Sequence, residues 1–520
     1  MKLRSYFVML LGVGLLCWII VVFRGRLSSR AVESEVMTTN ALADFQLRSD
    51  PVSIGEAGNL AQSRPESNPN VLHTPRTDLG IKPHPGLRIK EYYVSPSGSD
   101  RKGDGSQSRP WATITHADSA LKLGPEGTIV HLLPGTYGSG EYKPITTHNG
   151  TASQRIQFLC DVQYSCMFNN TFWRSQGNYV DVIGIQLTAP NIGAGFYFGA
   201  NSTDPSQSRG NYSSLRNSYI HDVGTSCASN PNGAGVGMYN VTHDVTFDSN
   251  ILDHTGVGGG CPLGAGGIGG TTNHWIYLQG YKAIVTNNVV SNAAGYGIHS
   301  YHNNCNSVIS NNTVIHNYVG GIMLDGADSA YDGDSPCPVG ARGLHTTINN
   351  NLVIRNGYGC GVHVSGSNGG APGGIVLESN GGENGAGTST DHVFNNYLAS
   401  NYSGSGDSNC INTPGTSNKI IVVYSYTDCY KGGCDLPTGV TADSQETNLS
   451  STAVNNLVVK YTDSSWTGNF HLLPSGPAAG TGTTGNCAPS PGISPCIPNL
   501  TFDGTSRAAS APDIGAFGVE

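Results

Sequence analysis

Val289-Val290-Ser291-Asn292 is the first of four similar short phrases, and their repetition indicates the architecture of the chain. The other three are Val314-Ile315-His316-Asn317, Val353-Ile354-Arg355-Asn356 and Leu398-Ala399-Ser400-Asn401. Each phrase follows an asparagine-rich turn, which indicates that one supersecondary unit is repeated and stacked on itself. The sequence therefore predicts an all-β solenoid.

The composition agrees with this class. Charged residues make up 12% of the 520 residues and there are 71 glycines. That is about half the usual charged fraction and about double the usual glycine share, which favours turn-rich β structure over long surface helices. A net charge of −9 argues against a nucleic-acid partner. An anionic substrate would need local basic residues or a bound cation.

The last asparagine of each phrase gives a register with one residue per coil. Strands of neighbouring coils lie about 4.8 Å apart, so asparagine side chains stacked along the axis can bond one another. We interpret this column as a structural ladder and not as a catalytic site. Its predicted members are Asp222, His254, Asn292, Asn317, Asn356 and Asn401.

A second strand follows each ladder residue, as in Gly297-Ile298-His299-Ser300, Gly321-Ile322-Met323-Leu324 and Gly361-Val362-His363-Val364. Period-two alternation places every second side chain outside the solenoid. The predicted outer column is Tyr197, Tyr239, Tyr277, His299, Met323 and His363. Such a stripe suits sugar rings, and we predict that Tyr239, Tyr277, Met323 and His363 bind substrate. Ordinary cross-strand packing under loops is the alternative.

The segment from Asp325 to Asp334 carries four carboxylates in ten residues and is followed by Arg342. Hard cations such as calcium prefer several oxygen ligands, so this density predicts a calcium site. Its predicted ligands are Asp325, Asp328, Asp332 and Asp334. The segment lacks the closing glutamate of an EF-hand loop, and a solvated acidic turn remains the alternative.

The N-terminus reads as a targeting element. An apolar run from Tyr6 to Phe23 follows Lys2 and Arg4, which predicts a signal peptide or an uncleaved membrane anchor over residues 1–23. Residues 24–90 are rich in Ser, Pro and Asn and are predicted to form a disordered stalk.

Twelve cysteines follow residue 150, an even number that predicts disulfides and an extracytoplasmic location, secreted or tethered. Zinc is disfavoured because no CxxC pair occurs. Pairing of sequence neighbours is one possible connectivity. The pairs would be 160 with 166, 227 with 261, 305 with 337, 360 with 410, 429 with 434, and 487 with 496.

Order begins near Glu91, and both ends of the ordered region resemble a known family. Tyr92-Tyr93-Val94 and Thr128-Ile129-Val130-His131-Leu132 near the start, and Asp513-Ile514-Gly515-Ala516-Phe517 near the end, resemble segments of secreted right-handed parallel β-helix proteins of the pectate-lyase-like superfamily. The resemblance implies a β-helix over residues 91–465 with a short N-terminal capping helix, and a closing segment over 466–520. The superfamily includes lyases, hydrolases, epimerases and non-enzymatic surface proteins.

Two chemistries can use these parts. In β-elimination, His299, His302 or Lys282 would be the base, and Arg342 or calcium would neutralise the developing charge. In glycoside hydrolysis, Asp325 and Asp328 would form the carboxylate pair, with Asp253 as a third candidate. The predicted catalytic residues are therefore His299, Asp325, Asp328 and Arg342.

The expected function is action on, or binding of, a polysaccharide by a monomer. The expected partners are a glycan and, through the N-terminal segment, a membrane. A non-enzymatic surface adhesin or glycan-binding rod is the alternative.

Overall fold

The computed structural model describes residues 88–138, 143–202, 204–226, 234–256, 273–300, 304–324, 346–357, 373–378, 392–401, 421–423, 441–447, 454–461, 468–483 and 497–520. These ranges all lie in one compact unit, Leu60–Glu520. The predicted anchor over 1–23 and nearly all of the predicted stalk lie outside them. Within the described ranges, no helix is both long enough and apolar enough to cross a membrane.

The described regular structure consists of one α-helix, one 3-10 helix at Pro205–Gln207 and thirty strands. The α-helix is α1, Ile114–Ala120. The strands are β1 Lys90–Val94, β2 Thr128–Leu132, β3 Gly135–Tyr137, β4 Ile145–Thr146, β5 Ile156–Cys160, β6 Cys166–Phe168, β7 Trp173–Ser175, β8 Val180–Ile183, β9 Gln186–Ala189, β10 Phe196–Phe198, β11 Ser214–Arg216, β12 Tyr219–Val223, β13 Ala234–Met238, β14 Thr246–Asp248, β15 Ile251–Thr255, β16 His274–Leu278, β17 Ile284–Thr286, β18 Val289–Ala293, β19 Tyr296–Ser300, β20 Val308–Ser310, β21 Thr313–Ile315, β22 Gly320–Leu324, β23 Thr347–Asn349, β24 Leu352–Ile354, β25 Gly373–Glu378, β26 His392–Ala399, β27 Ile421–Val423, β28 Thr441–Thr447, β29 Val458–Lys460 and β30 Asn469–Leu472.

Twenty-eight of the thirty strands form three parallel faces, with β28 pairing along both halves of β26, and β29 and β30 form a separate antiparallel pair. Face 1 contains β1, β2, β5, β8, β11, β14, β17, β20, β23 and the first half of β26. Face 2 contains β3, β6, β9, β12, β15, β18, β21, β24 and the second half of β26. Face 3 contains β4, β7, β10, β13, β16, β19, β22, β25 and β27. The chain visits the faces in the order 1, 2, 3, and each strand pairs with its equivalent one coil later. This arrangement confirms the predicted all-β, right-handed parallel β-helix solenoid.

Alternation along each strand builds the core. On face 1 the central residue of each strand points inward, and these residues form one fully buried apolar column. Its members are Val182, Leu215, Phe247, Val285, Ile309, Ile348 and Val393. The inward positions Ile298 and Ile322 predicted for face 3 belong to the same core, which confirms that alternation.

The bend between faces 2 and 3 corrects the predicted register. Val290 pairs with Val314, so Asn292 lies beside His316 and Asn317 lies beside Ala293. The column Asp222, His254 and Asn292 therefore continues into His316, Arg355 and Ser400, all at positive φ between 52° and 69°. The predicted single ladder was wrong by one residue between Asn292 and Asn317.

Asn317, Asn356 and Asn401 do form a ladder. The side-chain amide of Asn317 donates to the Oδ1 of Asn356 at 2.8 Å, and that of Asn356 donates to the Oδ1 of Asn401 at 3.0 Å. All three side chains are buried. The prediction that these three asparagines are structural is confirmed.

A longer ladder lies at the bend between faces 1 and 2. Each amide donates to the Oδ1 of the next member at 2.9–3.0 Å along five successive coils. Its members are Asn250, Asn288, Asn312, Asn351 and Asn396. The asparagine just before each of the last four members adopts the left-handed conformation and points outward. These outer asparagines are Asn287, Asn311, Asn350 and Asn395.

The helix α1 lies near the first coils. The Oγ1 of Thr113 accepts from the backbone N–H of His116 and caps the N-terminus of the helix. Ile114 and Ala117 join the core. The buried carboxylate of Asp118 accepts from the backbone N–H groups of Thr147 and His148. Burial raises the pKa of Asp118. A helix is therefore present where helical spacing predicted one, and its function as an end cap stays a prediction.

The C-terminal residues pack along the side of the solenoid. We define the C-terminal strap as residues 454–461, 468–483 and 497–520. Its apolar side chains, including Phe470, Ile514 and Phe517, share a buried cluster with outward residues of face 2 such as Ile251 and Leu352. The outer asparagines donate to its backbone carbonyls. Asn287 donates to Leu500, Asn311 to Asp513, Asn350 to Thr483 and Asn395 to Thr481.

One neighbouring cysteine pair is confirmed. Cys160 and Cys166 are disulfide-bonded, with Cα atoms 5.8 Å apart. They join the end of β5 to the start of β6, where the chain turns from face 1 to face 2. Cys305 is also disulfide-bonded. The other five predicted pairs stay predictions.

Replacing Arg507 by methionine is expected to destabilise the protein by about 2–4 kcal/mol. The buried guanidinium donates to the Oδ1 of Asn287 at 2.8 Å and to the backbone carbonyls of Asp513, Gly515 and Ala516 at 2.8–3.0 Å. Burial lowers the pKa of Arg507 to about 10. Urea denaturation measures the loss, and the exposed Arg101→Met is the control. Equal stability of the two variants would show that the hydrogen bonds of Arg507 do not stabilise the folded protein.

Candidate functional site

The structure brings three of the predicted site residues together. Tyr277, His299 and Met323 occupy one outward column on face 3, together with Tyr197. Six other predicted residues lie outside the described part of the chain. They are Asp325, Asp328, Asp332, Asp334, Arg342 and His363. The alternative base His302 lies outside it too.

Two positions of the predicted column were wrong. Gly237, and not Tyr239, lies between Tyr197 and Tyr277. Val376 follows Met323, because the next strand of face 3 is Gly373–Glu378 and not the predicted segment around His363. Gly237 has no side chain, and the Tyr197 ring occupies the space beside it, where a Cβ would lie 2.8 Å from the ring. The Tyr239 ring packs against Tyr197, with ring centroids 4.9 Å apart.

The column is buried. Tyr197, Tyr277, His299 and Met323 are each at most 7% exposed. His299 packs among rings, with centroids 4.1 Å from His274, 5.2 Å from Tyr277 and 5.3 Å from Tyr296. As described, this column does not offer an open surface to a sugar.

Acidification is expected to destabilise the protein through His274. Its Nδ1 accepts from the backbone N–H of Tyr296 at 2.9 Å, and burial lowers the pKa of His274 to about 3. The unfolded chain takes up a proton near pH 6.5 and the folded chain does not. This stability is therefore complete above pH 6.5 and is lost as pH falls toward 3. We expect a loss of about 2 kcal/mol between pH 7 and 5 from this group.

Urea denaturation at both pH values tests this expectation. His274→Gln should have a flatter pH dependence between pH 7 and 5 than the wild-type protein or the control His116→Gln. A slope unchanged by His274→Gln would show that another group causes the acid loss.

A more open cluster lies at the bend between faces 2 and 3. Asp222 is the left-handed residue near the end of β12, and His254 is its equivalent one coil later on β15. The Nδ1–H of His254 donates to Oδ1 of Asp222 at 2.6 Å. The Nδ1–H of His221 donates to Oδ2 of the same carboxylate at 2.7 Å. We call these three residues the Asp222 site.

Hydrogen bonding assigns distinct states to the two imidazoles. A carboxylate only accepts hydrogen bonds, so both Nδ1 atoms carry hydrogen. The Nε2 of His221 lies 2.9 Å from the side-chain amide of Gln186 and accepts its hydrogen. The Nε2 of His254 makes no hydrogen bond within the described ranges. The His254 side chain is 38% exposed, so a neutral His254 presents a lone pair to solvent.

The electrostatics fix the charge of Asp222. Burial alone would raise its pKa, but hydrogen bonds from His221 and His254 hold the pKa of Asp222 well below the usual range. The carboxylate is therefore ionised at neutral pH, and it orients His254 and can stabilise its protonated form. This is the geometry of a carboxylate-oriented general base.

Three other histidines of the described residues hydrogen-bond to a carboxylate. They are His131 with Asp161, His243 with Asp244, and His471 with Asp503. The histidine side chains of these pairs are each 17% exposed. Only the Asp222 site, within the described ranges, combines a carboxylate bound by two imidazoles with a well-exposed histidine.

Two further predicted candidates lie elsewhere. Asp253 is fully buried and accepts from the Oγ of Ser291 at 2.8 Å and the side-chain amide of Asn292 at 2.7 Å. Lys282 lies at the bend that precedes face 1, with φ 55°. Among the described residues, no group of three His, Cys, Asp or Glu side chains could hold a metal ion.

The repeat pattern predicts Asp222 and His254 as ladder positions and does not reveal their pairing. The available signal was chemical, because neither residue is an asparagine and the two differ from each other within the same column. An acid beside an imidazole in adjacent coils forms a dyad and does not continue an amide ladder.

Comparisons with known proteins give no family. No family model matches the chain, and no curated protein matches it. Among solved structures, the chain is similar to pectate lyase Pel9A, with 15% identity over 84% of this chain and 98% of that chain and a TM-score of 0.43. It is similar to a rhamnogalacturonan lyase, with 13% identity over 71% of this chain and 90% of that chain and a TM-score of 0.36. A GH136 lacto-N-biosidase from Eubacterium ramulus gives 14% identity over 61% and 57% of the two chains and a TM-score of 0.35.

Proposed function

We propose that this protein is an extracytoplasmic, carbohydrate-active β-helix enzyme that cleaves a polysaccharide by β-elimination, with His254 as the base. The observation that carries the proposal is the exposed Nε2 of a histidine whose Nδ1–H is fixed by an ionised carboxylate. Twelve cysteines after residue 150 and the disulfide between Cys160 and Cys166 support an oxidising location.

In this reaction the Nε2 of His254 takes the proton from the carbon beside a sugar carboxylate. The electron pair left on that carbon forms a carbon–carbon double bond, and the bond to the oxygen of the neighbouring sugar breaks. That oxygen keeps the electron pair of the broken bond and takes a proton from solvent water, so the departing sugar leaves with a hydroxyl group. Asp222 stabilises the resulting imidazolium. A general base in this position typically contributes a factor of about 10²–10⁴ in rate.

Hydrolysis fits the Asp222 site less well. A glycosidase needs two carboxyl groups, one of which is protonated to act as the acid. Asp222 is held ionised by two imidazoles, and Asp253 is buried under hydrogen bonds from Ser291 and Asn292. Neither group can serve there as an exposed acid.

The charge-neutralising partner of the elimination is proposed to come from the segment Asp325–Arg342, through calcium held by Asp325, Asp328, Asp332 and Asp334 or through Arg342. This segment lies outside the described residues. Chelation tests the calcium part separately, because it should slow the reaction without changing His254.

A panel of acidic and neutral polysaccharides tests the proposed function. Purified protein is mixed with each polymer, with and without chelator, and unsaturated products are followed by ultraviolet absorbance together with new reducing ends. Growth of both signals on an acidic polymer supports elimination. New reducing ends without absorbance would indicate hydrolysis instead.

Glycan binding without chemistry is the second candidate, and a specific observation favours it. Tyr179, Tyr212, His243 and Tyr281 form a partly exposed row of rings along successive coils, with neighbouring centroids 4.7–5.2 Å apart. Rings on a protein surface are typical of carbohydrate contacts. Retained binding with no product from any polymer would favour this function over catalysis.

A further inference from the structure

Arg174 occupies the outward position that precedes Tyr197 in the face 3 column. It is the central residue of β7, between the buried Trp173 and Ser175, and is itself half-buried. Its register partners are Ile145 in the preceding coil and Tyr197 in the next. Ile145 is exposed.

Two rings flank the Arg174 guanidinium. Its central carbon lies 5.3 Å from the ring centroid of Phe172 and 5.7 Å from that of Tyr239. Burial raises the pKa of the Tyr239 hydroxyl, and the nearby guanidinium opposes this rise. The charge therefore sits in an aromatic pocket and not in open solvent.

No carboxylate of the described residues pairs with Arg174, and its Nε is buried there without a hydrogen-bond partner. Arg155 shows the contrast. Its Nε and Nη2 donate to the two oxygens of Asp181 at 2.7 and 2.5 Å. Among the described residues, the charge of Arg174 is therefore met by cation–π contact and by the Tyr239 hydroxyl, and by no carboxylate.

Such a charge favours an anionic ligand. Ring contacts stabilise a cation only modestly, whereas a desolvated cation gains more from a bidentate acidic group. The planar guanidinium fork matches the oxygens of a carboxylate or a sulfate ester. The flanking rings suit the apolar faces of a sugar.

We propose that Arg174 binds the acidic group of an anionic sugar unit, with Phe172 and Tyr239 beside that unit. This inference rests on the proposed function and specifies the substrate class as an acidic polysaccharide. β7, β10, β13 and β16 are successive on face 3, and β15 with His254 directly precedes β16. Arg174 and His254 are therefore separated by three coils, or roughly 14 Å, along the axis. A polymer chain lying along the solenoid can reach both.

Binding measured by calorimetry tests Arg174 without requiring catalysis. The probes are polygalacturonate, the same polymer with its carboxyl groups reduced, and dextran sulfate. Arg174→Met is expected to weaken binding to one acidic polymer at least tenfold, with binding to the reduced polymer unchanged. If Arg174→Met weakens binding to polygalacturonate, the ligand group is a carboxylate. If it weakens binding to dextran sulfate, the ligand group is a sulfate ester. Arg174→Lys should retain part of the affinity because it keeps the charge without the fork.

Arg216→Met is the matched control, since Arg216 is also an outward arginine and its Nε bonds to the Oγ of Ser214. Far-UV circular dichroism and thermal melts check that all variants are folded. Equal weakening of acidic and reduced polymers, or no weakening by Arg174→Met, would overturn the inference. The proposed function fails in a different assay, when the wild-type protein forms no unsaturated product.

Discussion

His254→Gln is expected to lower the rate of polysaccharide cleavage by about 10²–10⁴, because it removes the imidazole lone pair that the Asp222 site presents to solvent. Glutamine keeps a polar side chain of similar size and cannot accept a proton at neutral pH. Initial rates of unsaturated-product formation at saturating and limiting polymer measure kcat and kcat/KM. Both should fall together, because proton abstraction occurs only in the transition state.

His131→Gln is the matched control for this variant. His131 donates from Nδ1 to Asp161 in the same geometry and lies in β2 on face 1, away from the Asp222 site. It should keep near-wild-type activity. Asp222→Asn should retain binding and lose much of the rate, since an amide no longer stabilises the imidazolium. Full activity of His254→Gln would exclude His254 as the base and direct attention back to His299 or Lys282.

Asn312→Ala is expected to destabilise the protein by at least about 3 kcal/mol. The amide of Asn312 donates to Asn351 Oδ1 and to the backbone carbonyls of Val285 and Ser310. Its Oδ1 accepts from both the backbone N–H and the side-chain amide of Asn288. Alanine leaves these buried partners unsatisfied. The urea midpoint and the unfolding rate measure the effect.

Asn292→Gly is the control for position in the register. Asn292 has φ 54°, a conformation that glycine adopts without strain, and its side chain is only partly buried. Its loss should cost clearly less than the loss of Asn312. Equal destabilisation by the two variants would show that the original register, with Asn292 as a ladder residue, describes the energetics better.

The repeated phrases of the sequence were enough to predict the solenoid fold, but they were not enough to predict its register throughout. Asn317, Asn356 and Asn401 were correctly assigned to a ladder because their coils are alike. The register slipped at Asn292 because the left-handed bend accepts Asp, His, Asn, Arg and Ser in turn. All residues of that column share the left-handed backbone conformation, but their residue types differ. Comparing residue types between coils therefore could not align this column.

The site was less predictable than the fold. Insertions between coils hid the true neighbour of Met323, which is Val376, because the intervening segment offered several strand-like phrases. The contact between Asp222 and His254 joins residues 32 positions apart. Only the stacking of coils brings them together. The predicted acidic segment Asp325–Asp334 stays a prediction.

The hydrogen bonds between the outer asparagines and the C-terminal strap restrict the number of coils that the solenoid can contain. A solenoid can lengthen by duplication of a coil, since each coil meets only its neighbours. Here each outer asparagine donates a hydrogen bond to a different backbone carbonyl of the C-terminal strap, as shown by Asn287, Asn311, Asn350 and Asn395. An inserted coil would add an asparagine with no carbonyl opposite it and move the others out of step. The C-terminal strap thus couples the number of coils in the solenoid to the positions of its own backbone carbonyls.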